Sequence, residues 1–363
     1  MQMSFSQWKQ AGWAVLPALL TLATPAHALK VFACEPEWAA LTRELAGSQA
    51  SVYTATQALQ DPHLVQAKPS LIAAVRNADL VVCTGAELEV AWLPLLLRQA
   101  GNPKVQPGQP GHFEAAASVR MLDVPARLDR ADGDVHAEGN PHIQTDPRNI
   151  ALVAVSLAHR LSQIDPAQAR AYEARLADFN RRWGVALQRW SQEAAPLRGT
   201  PIVVQHKGFP YLENWLGLKQ VAALEPKPGI EPSSSHLSGV LKQLQQQPAK
   251  MVIRAAYNDG RGAQWLAERA KLPVVVLPFT VVAAVLHTDL PWRVLRRDVL
   301  EMVRFVENQQ VITVLHQFIG ITPEQRVGRQ HHIMRGDLTK AALALWPVQR
   351  KHAQIGGKTC GFA

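Results

Sequence analysis

Short apolar runs alternate with amphipathic stretches in two parts of the chain, and one long helical pattern separates them. Leu29 to Cys34 is apolar and strand-like, and Glu37 to Leu45 is amphipathic and ends at Gly47, a usual helix stop. Ser51 to Thr54 reads as the next strand, and Leu71 to Asn77 as a helix opened by Pro69-Ser70. Asp79 to Thr84 is almost continuously apolar, as expected of a parallel strand covered on both faces. Glu87 to Gln99 again has helical spacing. Gly101 to Gly139 is rich in Gly, Pro and Asp and reads as irregular connection, with one further strand expected around Ser118 to Met121.

From Pro147 to about Glu193 apolar residues recur at Ile150, Val153, Leu157 and Leu161, then Tyr172, Leu176 and Phe179, then Trp183, Leu187 and Trp190. Asp165-Pro166 interrupts the pattern as a kink or a new first turn. The span would reach on the order of 60 Å as one helix, enough to cross between domains. After Gly199 the alternation restarts, with strands at 201–205, 220–224, 251–254 and 274–277 and helices at 211–216, 237–245 and 262–270. The chain is therefore expected to be α/β, with two Rossmann-like lobes, each on a parallel sheet, joined by a long rigid linking helix. The expected boundaries are 29–146 for the first lobe, 147–195 for the linking helix and 196–280 for the second lobe.

Residues 1–28 read as a signal peptide: Lys9, an apolar run from Ala11 to Ala23, then Ala26-His27-Ala28 before a cleavage point. The apolar run is short for a bilayer span, so export is preferred over anchoring, and the mature chain is expected to begin near Leu29. With 363 residues, 47% of them hydrophobic, the chain has enough apolar surface for two ordinary cores. Cys34 and Cys83 each end an apolar run; a bridge between neighbouring strands and two buried thiols are both open readings, and Cys360 is left over. The net charge of +9 is scattered without aromatic interleaving, so no nucleic-acid partner is expected.

Three of the thirteen histidines sit where the backbone presents them rigidly or at a strand's end. These are His63 in Asp61-Pro62-His63, His142 in Asn140-Pro141-His142 just before the long helical pattern, and His206 directly after the first strand of the second lobe. Loops at the carboxyl ends of parallel strands carry ligand groups, so the three are assigned to one metal site. Three imidazoles with at most one carboxylate favour Zn2+ over Mn2+, which prefers oxygen-rich sites of higher coordination. His136 and Glu138 are accessory candidates; His136 reads as a ligand, a donor to a ligand, a capture group or an exposed loop residue. Asp146 and the serines before His236 read as helix caps, and His331-His332 as surface.

Taken in order, these motifs resemble the substrate-binding proteins of zinc and manganese ABC transporters. The resemblance runs from about Leu29 to Thr280 and includes Lys68-Pro69-Ser70, Asp146-Pro147-Arg148, Tyr211 with Leu216-Gly217-Leu218, Glu225-Pro226-Lys227-Pro228-Gly229-Ile230 and Leu277-Pro278-Phe279-Thr280. It implies one metal ion between the lobes, a membrane permease as partner, a periplasmic location, action as a monomer and no catalysis. It also implies a fourth ligand from a second-lobe carboxylate or water, yet Leu277-Pro278-Phe279 holds no acid where the resemblance calls for an aspartate.

After Thr280 the resemblance stops. Residues 281–363 read either as an authentic extension, with helical patterns at 299–306 and 338–345, or as the product of a coding frame that slips near Val281. In the slipped frame, codons for Trp292-Arg293-Val294-Leu295-Arg296 can encode Gly-Val-Phe-Tyr-Asp, close to the ending the resemblance implies. The rival reading of the histidines is a zinc-dependent hydrolase, since three imidazoles and an open position also make a catalytic zinc. That reading needs a general base, and Glu138 is the acid nearest a ligand motif.

Overall fold

The computed structural model describes residues 28–129, 133 and 135–281. The signal peptide, Cys360, His331-His332 and all but the first residue of the 281–363 segment lie outside the described residues. Among the described residues no helix is long and apolar enough to cross a membrane.

Two four-stranded parallel sheets repeat one topology. The first contains β1 (Leu29–Ala33), β2 (Ala50–Thr54), β3 (Leu80–Cys83) and β4 (His112–Glu114) in the order β2-β1-β3-β4. The second contains β5 (Pro201–Val204), β6 (Lys219–Ala223), β7 (Met251–Ala255) and β8 (Val274–Leu277) in the order β6-β5-β7-β8. In each, the chain reverses its direction of progress beside the first strand, which opens a crevice at the carboxyl edge. The helices are α1 (Pro36–Ala46), α2 (Pro69–Arg76), α3 (Leu93–Ala100), α4 (Pro147–Ile164), α5 (Ala169–Glu193), α6 (Pro210–Leu216), α7 (Ser234–Gln246) and α8 (Arg261–Ala270). Six of them place proline or a capping side chain at the start: Pro36, Pro69, Pro94, Pro147 with Asp146, Pro210, and Ser233.

Strand alternation decides which core each residue joins. Val31, Ala33, Leu80 and Val82 face inward with Ile202, Val204, Met251 and Ile253 of the other sheet, in one cluster that also takes Val153, Leu157, Tyr172, Phe179, Trp183 and Trp190 from α4 and α5. Phe32, Val81 and Cys83 face the opposite side against Leu71, Val75, Trp92 and Leu96. Val203 and Val252 do the same in the second lobe against Leu237, Val240 and Leu266.

Three sequence expectations are corrected. The helical pattern from Pro147 to Glu193 does not run as one rod of 60 Å. It breaks at Asp165, and α5 returns along α4, with Tyr172 donating to Asp165 near the turn and the Trp183 indole donating to the Pro147 carbonyl at 2.7 Å. The longer of the two helices, α5, has 25 residues and is roughly 37 Å long. The further strand of the first sheet lies at His112–Glu114, not at Ser118 to Met121, because the chain joins β3 directly after Gly111. The third helix starts at Leu93, not Glu87. Gly85, Ala86 and Glu87 hold φ of 75°, 49° and 65°, outside helical geometry, and Pro94 sets the first turn.

The Cys34–Cys83 pair is a disulfide, Cα to Cα 4.8 Å, joining the ends of β1 and β3. Beside it three carboxyls are buried: Glu35, Glu37 and Glu89. Glu89 accepts the Thr84 and Gly85 N–H groups at 2.7 and 3.1 Å, Thr84 donates its hydroxyl to Glu35 at 3.2 Å, and Thr280 of the second lobe donates to Glu37. Desolvation raises all three: Glu37 and Glu89 to about 7, and Glu35 well above its ordinary value with the help of Glu89 and Glu37.

Two outcomes follow. Closing a loop across a sequence separation of 49 stabilises by about 4 kcal/mol on the chain-entropy account. The Cys34→Ala/Cys83→Ala double variant should lose on the order of that amount in urea unfolding; a loss below about 1 kcal/mol would mean the strand pairing alone holds this edge. Glu37 has a folded value above its unfolded value, so the stability it contributes is complete below pH about 4.3 and is lost as pH rises through about 7. Urea midpoints measured from pH 5 to 8 should therefore fall less steeply for Glu37→Gln than for the parent, and equal slopes would rule out the raised value.

Candidate metal centre

His63 stands in the loop after β2. Asp61 organises it, accepting the His63 backbone N–H at 2.9 Å and pairing with ring Nδ1 at 2.8 Å, which fixes the ring's orientation. Burial works to raise the Asp61 carboxyl, and its bonds to His63 outweigh this, leaving it below its usual value. The Trp92 indole pins the same loop by donating to the Pro62 carbonyl at 2.9 Å.

His142 precedes α4 by one 3-10 turn and is 1% exposed. Asn140 Oδ1 accepts its backbone N–H at 3.0 Å, and Thr145 donates to its carbonyl at 2.9 Å. Burial first, then the neighbouring His63, His206 and His136, holds its imidazole well below the ordinary value, so it is neutral. Its Nδ1 is buried without a hydrogen-bond partner, a costly arrangement that a cation-binding role would require of one ring nitrogen. Asp146, next along, caps α4 through the Arg148 N–H, as its sequence context implies.

His206 follows β5. Its Nδ1 pairs with Glu225 Oε2 at 2.7 Å, and the Gly229 N–H donates to that same oxygen at 2.9 Å. Glu225 thus does in the second lobe what Asp61 does in the first. Gly208 lets the chain pass close by, since a Cβ there would sit 3.0 Å from the Phe279 ring and 3.3 Å from His206.

The three rings converge. Their centroids are 5.3 Å apart for His63 and His142, 5.7 Å for His142 and His206, and 6.3 Å for His63 and His206. Imidazoles on a tetrahedral zinc, with Zn–N near 2.05 Å, have centroids about 5.2 Å apart. The rings are therefore close to ligating separation. Their nitrogens are not yet gathered to one point: among the described residues, the group of three potential ligand atoms within 4.8 Å of one another is Cys34, Cys83 and Glu89, whose sulfurs already bond each other. Loading the histidine set calls for ring rotation.

His136 joins the cluster, its ring stacked on His63 at 5.4 Å and 28°. Glu138, two residues on, is exposed to solvent. Where the resemblance calls for an aspartate, Phe279 instead lays its ring edge-on to His142 at 4.8 Å, backed by Phe209 and Tyr257 at 5.3 Å each. That side of the site is an aromatic wall. The orienting roles of Asp61 and Glu225 were not assigned from the sequence, although both residues lie inside the motifs that mark the site. A carboxylate two residues from a candidate histidine, or just past the neighbouring strand, is the signal that finds them.

The model for the family described as ZnuA, zinc-uptake complex component A, periplasmic, matches residues 31–289. The zinc-binding lipoprotein AdcA of Streptococcus pneumoniae is 24% identical over 230 residues, 62% of this chain but 44% of its own length, so the chain spans less than half of that relative. The manganese ABC transporter substrate-binding lipoprotein PsaA of Streptococcus pneumoniae is 23% identical over 261 residues, covering 69% of this chain and 80% of that protein. A crystal structure of ZnuA superposes with a TM-score of 0.63 at 20% identity, covering 79% of this chain and 98% of the other. With more than half of its length matched by the family model, and with the two-lobe fold in common, the chain belongs to the ZnuA family of periplasmic zinc-uptake components.

Proposed function

We propose that this protein captures Zn2+ between its lobes through His63, His142 and His206 and delivers it to the membrane permease of an ABC transporter. The observation that carries the reading is the meeting of three rings from three distant segments at 5.3 to 6.3 Å. Ligand chemistry selects the metal. Each assigned ligand is an imidazole, and the neighbouring position is taken by Phe279, a poor setting for manganese, which favours oxygen donors. Asp61 and Glu225 hold the Nδ1 atoms of His63 and His206, which assigns metal ligation to Nε2 of each. His142 is already neutral, so no proton has to leave it on loading.

The chain acts after export, from the periplasm, with its mature form starting near Leu29; the Cys34–Cys83 disulfide suits an oxidising compartment. The first lobe is 29–146, the link 147–195 and the second lobe 196–280. It works as a monomer without covalent chemistry. A hydrolytic zinc would need a base at the metal; Asp61 and Glu225 are each engaged by an imidazole Nδ1, and Glu138 is exposed to solvent. Because the lobes share one core, release rests on local shifts of the ligand loops.

Competitive titration of the chain from Leu29 with zinc and manganese tests this. One zinc equivalent should bind in preference to manganese, and His142→Ala should weaken it by at least about 100-fold. Preference for manganese, or zinc binding indifferent to His142, would overturn the reading.

A further inference from the structure

We infer that His136 is a fourth nitrogen ligand of this metal centre and that Glu87 is the positioning residue that holds it there; the inference rests on the three-histidine reading above. The His136–His63 centroid separation of 5.4 Å is close to the roughly 5.2 Å of two imidazoles on one tetrahedral zinc, closer than the 5.7 and 6.3 Å that His206 makes with His142 and His63. Phe279 closes the site where a carboxylate from the second lobe would otherwise enter, so the remaining donor comes from another direction.

Glu87 reaches the segment that bears this ring. Its Oε2 accepts the backbone N–H of Ala137, the residue after His136, at 2.5 Å. Around that bond the segment is a tight turn: Gly139 donates its N–H to the His136 carbonyl at 3.2 Å, and Asn140 donates to the Leu122 carbonyl at 2.8 Å. Gly139 has φ of 110°, and a Cβ there would lie 2.6 Å from the Leu122 carbonyl oxygen, so only glycine fits.

The turn that presents Glu87 is strained. Gly85, Ala86 and Glu87 follow one another in positive φ, and two of them carry side chains that disfavour it. Such a conformation persists where the surroundings over-determine it. Here the buried Glu89 carboxylate holds the Thr84 and Gly85 N–H groups, Leu88 donates back to the Gly85 carbonyl at 3.1 Å, and the Ala86 and Leu88 side chains are buried. The left-handed run sits directly after β3, at the carboxyl edge where the ligand loops gather, and it turns Glu87 toward the His136 segment.

The test uses the full chain loaded with Co2+ as a spectroscopic stand-in for zinc, together with zinc competition. His136→Ala and Glu87→Ala should each alter the visible d–d absorption in the same way, as a nitrogen ligand gives way to water. Each should weaken zinc roughly 10- to 100-fold. Glu87→Gln keeps an oxygen that accepts the Ala137 N–H and should retain the parent spectrum. Glu87→Gly relieves the left-handed strain yet lacks the anchor, so it should show the Ala spectrum while resisting urea at least as well as the parent, which separates positioning from folding. His142→Ala is the reference. If it abolishes binding while His136→Ala leaves spectrum and affinity unchanged, the fourth ligand is refuted and the three-histidine reading stands. If His136→Ala acts but Glu87→Ala does not, the role of Glu87 is refuted. Binding indifferent to His142→Ala removes both readings.

Discussion

One apolar core passes from the first sheet, through α4 and α5, into the second sheet, and the placement of everything at the metal centre depends on it. His63, His142 and His206 belong to segments far apart in sequence, and no local interaction could bring them within 6.3 Å. What does so is packing of the inward faces of both sheets against the same pair of helices. Trp183 and Trp190, nearly fully buried on α5, fill the space between them, and the Trp183 indole ties α5 to the start of α4, five residues after His142. Interiors packed at this density transmit displacement instead of absorbing it. A change in the core therefore moves the ligands.

The electrostatics divide into two buried sets of opposite logic. Around the histidine cluster, burial holds the His142 imidazole well below its ordinary value, and Asp61 and Glu225 fix the Nδ1 atoms of His63 and His206. Beneath the strand ends, Glu35, Glu37 and Glu89 are driven toward their protonated forms by desolvation and one another. Reducing the ionisation of those acids bears on selectivity at the proposed site. Three ionised carboxylates close to the cleft would attract any divalent ion and offer the oxygen donors that manganese prefers. Asp61 and Glu225, beside the histidines, are each engaged by an imidazole Nδ1.

Much of this was legible in the sequence, for physical reasons. Parallel strands buried on both faces must be apolar throughout, so Val81, Val82 and their neighbours announce β3, and the same holds for β5 and β7. A histidine beside proline at a strand or helix end has few conformations, and His63 and His142 stand out on that ground. Features set by the tertiary fold were not legible. The break at Asp165 reads in the sequence as a kink or a new first turn, and only the burial of Tyr172 and Trp183 against α4 shows that the chain reverses there. Residues 87–92 have the apolar spacing of a helix, yet the Glu89 carboxylate captures the backbone N–H groups of Thr84 and Gly85 and imposes a left-handed turn instead. Orienting acids such as Glu225 are invisible until β6 is known to lie beside β5.

The same stiffness that assembles the centre bears on how it lets go. A hinged protein can open its cleft by rotating whole lobes, but here rotation would break the shared core around α4 and α5, together with the Glu37–Thr280 bond and the Tyr211 hydroxyl bond to the Asn140 carbonyl that sew the lobes at the site. The inexpensive motions are local. The His63 and His206 rings are each oriented on a loop by a carboxylate, whereas His142 is locked by its burial and by Asn140 and Thr145. A partner that disturbed the Asp61 or Glu225 contact would weaken one ligand while leaving the fold untouched. On the proposed metal site, stability and exchange would thus fall to different residues: the core and His142 would keep the site in being, and the rings oriented by acids would set how readily it gives up its ion.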